Sequence, residues 1–394
     1  MEITTVRAVN RLTARWARQA VTGEKGTVLT AAGIWPLLAF LADGAGGPAR
    51  TELAEALGIP AGSATDAARK LLTDLAAIRG LQAATGLWTR AGLPLHERWL
   101  AGLPDGARAT LTGDEGTDRK ALDEWAAHRT GGLIERMPLP VQRDTLMVLA
   151  SALALRLRWI QPFRTGCIDL PEGPWAGRSA LALFRNTSLL DRARVAHTPT
   201  GPVTLLEVVG DGGVDVHLVL GETAARPWEV LAAGACVVTR TVPSTGASLL
   251  PEGNPGPGLR IGTVRSTDRA PRLRVEAVAF DVSADHDLLD HARLFGLHTA
   301  TDAGSGHFPG ISPDPLAVRS ARQSAVARFH AEGFEAAAVT ALGSAAGCAQ
   351  PRYRYRVRQA EVAFHRPFGF LAVHRTSRLV LAAGWVAEPV TLTP

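Results

Sequence analysis

Lysine is almost absent from this chain. Lys25, Lys70 and Lys120 stand alone, and arginine carries the positive charge. The Ala/Gly/Arg bias matches a high-GC bacterial coding style. Formal net charge is +5 over 394 residues, and the basic residues are scattered. That excludes the clustered electrostatic footprint of a nucleic-acid binder. The one local concentration, Arg352-Tyr353-Arg354-Tyr355-Arg356-Val357-Arg358, puts arginine at every second position. Alternate residues share one face of a strand, so a solvated strand face accounts for it. Cysteine is scarce as well. Cys167, Cys236 and Cys348 form no paired framework and no CxxC or zinc-ligand spacing. This agrees with a reducing compartment. Long apolar runs are missing too, so nothing is expected to cross a membrane. Met1 to Val21 has arginines spread through it and lacks an apolar h-region with a cleavage site. It reads as an amphipathic helix and not as a signal peptide, and a cytoplasmic protein is expected. There is no nucleotide-binding glycine fingerprint, no GxSxG elbow and no HExxH, and no cofactor or metal is expected.

What remains is an ordinary globular composition, 46% hydrophobic and 20% charged, with ample chain for a core. The first third has helical spacing over Arg7 to Val21, Pro48 to Leu57, Asp66 to Ile78 and Asp118 to Ile134. The rest favours strands: Val203 to Val209, Val214 to Leu220, Arg272 to Val282, Arg356 to Ala363, Gly369 to Val373 and Arg378 to Val386. Leu146 to Leu157 is a nearly continuous apolar run, as in a strand covered on both faces, although periodicity alone does not separate helix from strand there. Gly/Pro clusters at Pro251 to Gly258 and Asp302 to Pro315 read as loops. No internal repeat or low-complexity segment divides the chain. Helices first and strands later point to an α+β fold with a mainly antiparallel sheet.

Several short motifs stand in a recognisable order. Near the C-terminal end are Glu332-Gly333-Phe334-Glu335-Ala336-Ala337-Ala338-Val339-Thr340, then Phe364-His365-Arg366-Pro367-Phe368-Gly369-Phe370-Leu371, then Gly384-Trp385-Val386-Ala387-Glu388-Pro389. Upstream lie Thr30 to Leu38, Asp123-Glu124-Trp125 with Thr130-Gly131-Gly132-Leu133-Ile134, and Asp144 to Ala152 followed by Arg158-Trp159 and Pro162-Phe163. Phe308-Pro309-Gly310-Ile311-Ser312 completes the set. Together they resemble the serpin family over essentially the whole chain. The resemblance implies one domain over residues 1–394, with about nine helices around three mainly antiparallel sheets and an exposed reactive-centre loop at 333–352.

It also implies a function. In inhibitory serpins a serine or cysteine peptidase becomes acylated to the loop. The cut loop then enters the main sheet as a new strand and drags the peptidase with it. Gly333 is the implied hinge, free to take unusual backbone angles. Phe334, Glu335, Ala336, Ala337 and Ala338 begin the inserting segment, and the small residues from Ala336 to Ala341 suit a strand. The family's spacing sets the scissile residue fourteen positions after the hinge glycine, at Gly347-Cys348. Arg352 lies five residues further on, which adds about 16 Å of slack. A peptidase accepting small residues, subtilisin- or elastase-like, is therefore the expected partner, acting on a monomer. Cys348 is either a small loop residue or a reactive thiol. The shutter and breach that control sheet opening map to Thr30, Gly33, Ser151, Gln323 and Trp159. Here Ser151 stands for the usual asparagine, Gln323 for histidine and Thr30-Ala31-Ala32-Gly33 for Ser-Pro-x-Ser, while Ala331 replaces a glutamate at the loop base. Phe334 replaces a threonine or serine, with an overpacking cost on insertion of roughly 1–3 kcal/mol.

Two alternatives differ in class. One is a non-inhibitory serpin-fold protein that binds a ligand or partner. The other is an enzyme repurposed on the scaffold, hinted at by Asp285-His286-Asp287, Asp290-His291, His298 and His307. Carboxylates beside imidazoles serve acid–base chemistry or a metal, and on a helix His286 and Asp290 share a face. A solvated polar helix explains the same residues.

Overall fold

The computed structural model describes residues 1–137, 142, 145–302, 304, 306–334 and 354–392. The helical part comes first, as expected. α1 (Ile3–Ala20) buries Val6, Val9, Leu12 and Trp16 along one stripe. After β1 (Thr27–Leu29) comes α2 (Ala31–Gly44), buried almost all round because its sequence is apolar on every face. α3 (Gly47–Leu57) and α4 (Ala61–Ala76) pack beside it. β2 (Leu81–Arg90), α5 (Glu97–Gly102) and β3 (Arg108–Leu111) lead to α6 (Glu115–Thr130). Asp114 caps α6 by accepting from Thr117 N.

Strands dominate from there. β4 (Met147–Leu155) is the apolar run and is buried at every residue. It is followed by β5 (Leu157–Arg158), β6 (Arg164–Leu170), β7 (Arg178–Thr187), β8 (Ala193–Thr198), β9 (Gly201–Val209) and β10 (Val214–Leu220). α7 (Pro227–Val238) interrupts, then β11 (Thr245–Gly246), β12 (Gly253–Gly256), β13 (Leu259–Ser266), β14 (Arg272–Val278) and β15 (Phe280–Asp287). α8 (Ala292–Phe295) precedes β16 (Ser320–Phe329) and β17 (Gly333–Phe334), and β18 (Tyr355–Phe364), β19 (Phe368–His374) and β20 (Val380–Val386) close the chain. Among the described residues there are eight α-helices, against about nine expected.

The strands form three sheets. The large one runs β3-β2-β4-β16-β17-β5, with β15 also paired to β16. A second runs β1-β20-β19-β10-β9-β8-β11, and a third β12-β13-β18-β14-β7-β6. Pairing is mainly antiparallel; among the described residues the parallel contacts are β2–β3, β4–β16 and β14–β18. The Gly/Pro cluster Pro251 to Gly258 is not a simple loop. It folds into β12 and the turn of a hairpin with β13, which lies along the outer side of β18 in an eight-residue register from Leu259↔Val362 to Ser266↔Tyr355.

Between the large sheet and the second sheet sits an aromatic chain of contacts. Phe280 stacks on Phe329 at 5.3 Å and lies 5.0 Å from Phe370, and Trp159 and Phe163 flank Phe329 at 5.0 and 5.7 Å. Such pairs add to the burial of large apolar side chains. No helix among the described residues is long and apolar enough to cross a membrane.

Candidate functional site

β4 and β16 touch directly. Their parallel register runs from Val148↔Ser320 to Leu153↔Ala325. Beyond Ala325 the two strands part. β16 continues to Phe329, while the chain of β4 continues through Arg156 into β5. β17 occupies the fork: Phe334 pairs with Phe329 on one side and Leu157 on the other, and Gly333 pairs with Arg158, antiparallel in both directions.

The turn that delivers β17 is held from several sides. His330 N donates to Gly333 O at 3.0 Å. Trp159 N donates to Glu332 O at 3.0 Å, Phe163 N to Ala331 O at 2.9 Å, and the Trp159 indole Nε1 to His330 O at 2.8 Å. Trp159 thus stands at the entrance to the fork, where the resemblance sets the breach. At this seat space demands a glycine at 333. A Cβ there would lie 2.0 Å from the Leu157 carbonyl oxygen, and the residue is outside the left-handed region. Phe334 is 2% exposed, with its ring 6.2 Å from Phe370. The phenyl expected to overpack on insertion is already buried at this seat. Glu335, Ala336, Ala337, Ala338, Gly347 and Cys348 lie outside the described residues.

Beneath the fork, Gln323 and Thr30 meet. Thr30 N donates to Gln323 Oε1 and Gln323 Nε2 donates to Thr30 O, each at 2.9 Å. Ser151 pairs in register with Gln323, and its hydroxyl presses on Gly33; a Cβ on Gly33 would sit 2.4 Å from Ser151 Oγ. Thr30, Gly33, Ser151 and Gln323 are therefore brought together. The polar contact is one amide on one peptide unit, and the buried hydroxyls of Thr30, Thr85 and Ser151 have no partner among the described residues.

Among the described residues, the histidines and carboxylates of this stretch lie on different elements. His286 lies on β15, opposite Gln323, and Asp290 lies in a 3-10 turn, so the pair does not share a helical face as the helix reading required. His286 Nε2 donates to Val28 O at 2.9 Å, and the ring meets Trp16 edge-on at 5.0 Å. Burial lowers its pKa, and the Val28 hydrogen bond opposes that. Asp285 accepts from Ser324, and Asp287 pairs with Arg322 at 2.8 Å while capping Leu289 N. His307 lies 3.4 Å from Asp302. Among the described residues no group of three or more His, Cys, Asp or Glu side chains could hold a metal ion.

Sequence inspection missed the aromatic neighbours that receive Phe334 and the Leu157 carbonyl that demands glycine at 333. The aromatic spacing at Phe364, Phe368 and Phe370 was visible, but nothing local linked it to Phe334.

Comparison with known proteins agrees with the architecture. A family model described as Serpin (serine protease inhibitor) matches residues 7–167 and 263–389. Serpin-Z2B of Oryza sativa subsp. japonica is 25% identical over 419 residues, covering 97% of this chain and 96% of that protein. Serpin-Z2A of the same rice is 26% identical over 430 residues, with the same coverage of 97% and 96%. Among solved structures, human glycosylated kallistatin superposes with a TM-score of 0.73 at 19% identity, covering 100% of this chain and 98% of that one. A thyroxine-binding globulin in complex with thyroxine gives 0.72 at 16%, covering 99% and 100%. With a family match over most of its length, the chain belongs to the serpin family.

Proposed function

We propose that this serpin is a suicide-substrate inhibitor of a serine or cysteine peptidase that accepts small residues, such as a subtilisin- or elastase-like enzyme. The observation that carries the reading is the seat of Gly333 and Phe334 in the fork between β16 and β5, directly above the β4–β16 contact. β17 is already antiparallel to both neighbours. A strand continuing from it between β4 and β16 would keep that direction and replace one parallel contact with two antiparallel ones, the slightly more stable pairing per residue. Each added backbone hydrogen bond contributes about 0.5–1.5 kcal/mol net. Ala336 to Ala341 supply the small side chains such a strand needs, and the family spacing puts the cut at Gly347-Cys348. Because the first phenyl is seated beforehand, insertion starts from an occupied first rung.

The test is incubation with subtilisin and with elastase, followed by denaturing gels and intact mass spectrometry. The expected result is a stable adduct of peptidase and chain, cut at Gly347-Cys348, and a higher melting temperature for the loop-cut protein. Clean cleavage with the peptidase still active and the melting temperature unchanged would sink the inhibitor reading and move the function to ligand binding on the same scaffold.

A further inference from the structure

The wall of the fork opposite β16 is the short strand β5 with the two residues after it, and it is held on both edges. Backbone groups of successive strand residues point to opposite edges. Leu157 and Trp159 face β17, where Leu157 pairs with Phe334 and Trp159 N donates to Glu332 O. Arg158 and Ile160 face the other way, toward the end of β9 and the turn 210–213 that joins it to β10. Arg158 N donates to Asp211 Oδ1 at 3.0 Å, Asp211 N donates back to Arg158 O at 2.9 Å, and Ile160 N donates to Val209 O at 3.0 Å. Between these, Gly210 bridges to Trp159. The approach is close: a Cβ on Gly210 would lie 3.3 Å from Leu157 Cδ1 and 2.5 Å from Val214 O. The wall of the fork is therefore carried by a turn of the second sheet.

One buried charge fixes that turn. Asp215, near the start of β10, is 1% exposed. Arg375, in the turn between β19 and β20, meets it side-on: Nε donates to Asp215 Oδ2 at 2.8 Å and Nη2 to Asp215 Oδ1 at 2.6 Å. The same Nη2 donates to Gly210 O at 2.9 Å, Gly210 N donates to Asp215 Oδ1 at 3.3 Å, and Arg375 N donates to Gly213 O at 2.8 Å. Planar two-point pairing of this kind sets geometry as well as energy. Removing the guanidinium would leave a buried carboxylate without its cation. Neither Arg375 nor Asp215 pairs with β17; they reach it through Gly210, Asp211 and β5.

We propose that Arg375 and Asp215 are positioning residues for strand insertion: clamped together, they hold β5 apart from β16 and keep the fork open for the loop. The proposal rests on the inhibitor reading, in which a strand grows from β17 between β4 and β16. β4 runs on into β5 through Arg156, so without an anchor the two parts of the wall would move as one. With the clamp, β5 stays with the second sheet and only β4 has to part from β16. The seat of Phe334 is then ready before the cut, and the acylated loop starts its insertion without first making room. A weakened clamp lets β5 drift and unseats the first rung. Insertion slows while hydrolysis of the acyl bond does not, so more encounters end in plain cleavage.

The test separates the wall from the chemistry. Arg375→Gln removes the charge pair, and Asp211→Ala removes one bond between the turn and β5 while leaving the buried pair whole. With subtilisin and elastase, both variants should be cut at the parent's rate, because the loop itself is unchanged. The ratio of cleaved chain to adduct, read on denaturing gels, should rise by about fivefold in each, equivalent to one net hydrogen bond in the insertion barrier. Arg375→Lys keeps the charge without the planar two-point geometry and should fall between. Amide exchange followed by mass spectrometry is a second readout that needs no peptidase. His330, Trp159 and Phe163, whose N–H groups hold the turn leading into β17, should exchange faster in both variants, while β14 and β18 keep the parent's rates. A parent that forms no adduct overturns the inhibitor reading, and exchange then decides the clamp by itself. An unchanged ratio of cleaved chain to adduct, or unchanged exchange at these three amides in Asp211→Ala, would overturn the proposal. A lower melting temperature with both readouts at parent values marks the pair as merely structural and overturns it as well.

Discussion

Gln323 and Thr30 stand 293 positions apart in the chain, yet they exchange two hydrogen bonds of 2.9 Å, the amide of one closing on the peptide group of the other. The contact ties the middle of β16 to the residue that leads into α2. Replacing Gln323 by Ala should strand the buried N–H and C=O of Thr30 and cost about 2–4 kcal/mol. Chemical denaturation measures the loss. Gln323→Glu should be similarly weak at neutral pH, where a carboxylate faces the Thr30 carbonyl, and should recover toward acid pH as the protonated acid regains a donor.

Ser151 offers the opposite sign. Its hydroxyl is buried and unpartnered, so Ser151→Ala removes a desolvation penalty and should stabilise by about 1 kcal/mol. Gly33→Ala should destabilise by about 1–3 kcal/mol, because its methyl would meet Ser151 Oγ at 2.4 Å. In the double variant much of that cost should vanish, since the obstructing oxygen is gone. Strict additivity in this cycle would show that the two side chains do not touch.

At the fork, Gly333→Ala should expel β17, because a methyl cannot sit 2.0 Å from the Leu157 oxygen. Phe334→Ser should loosen the same seat by removing the ring from beside Phe370, at a cost of about 2–4 kcal/mol if the cavity stays open. Both variants should be nicked faster by a broad-specificity peptidase just past residue 334. Unchanged nicking rates would mean that β17 contributes nothing to holding this segment.

Acid should weaken the fold through buried histidines. His286 and His217 have pKa values lowered from 6.5, each mainly by burial. The unfolded chain therefore takes up protons first as pH falls. Stability is fully present above pH 6.5 and declines as pH drops below it toward the folded pKa values. Denaturation midpoints between pH 8 and pH 5 measure the slope, and His286→Gln should flatten part of it. A slope unchanged in that variant would remove His286 from the account.

How much of this was legible beforehand depends on range in the chain. β4 was readable as an apolar run, and β10 matched its expected span from Val214 to Leu220, because burial leaves a local mark on composition. Gly333 was readable as special, but the Leu157 carbonyl that leaves no room for a Cβ there had no local mark. Pro251 to Gly258 read as a loop because Gly and Pro are turn residues, and the partner that makes β13 a strand is about a hundred residues downstream. The Gln323–Thr30 contact had no local signature at all. Asp215 and His217 did leave one, two polar residues alternating inside Val-Asp-Val-His-Leu-Val-Leu, but nothing local pointed to Arg375 as the partner of Asp215. The histidines from 286 to 307 were the reverse case. They stood close in sequence, and the change from strand to 3-10 turn and helix disperses them.

The β12–β13 hairpin has a consequence for how these molecules meet one another. Without it, β18 would form the rim of the third sheet and present a long row of free N–H and C=O groups. With it, β12, four residues reading Gly253-Asn254-Pro255-Gly256, covers the Leu259 to Ile261 end of the outer edge of β13. Pro255 has no N–H to offer, and so short a segment gives an approaching strand little to zip against.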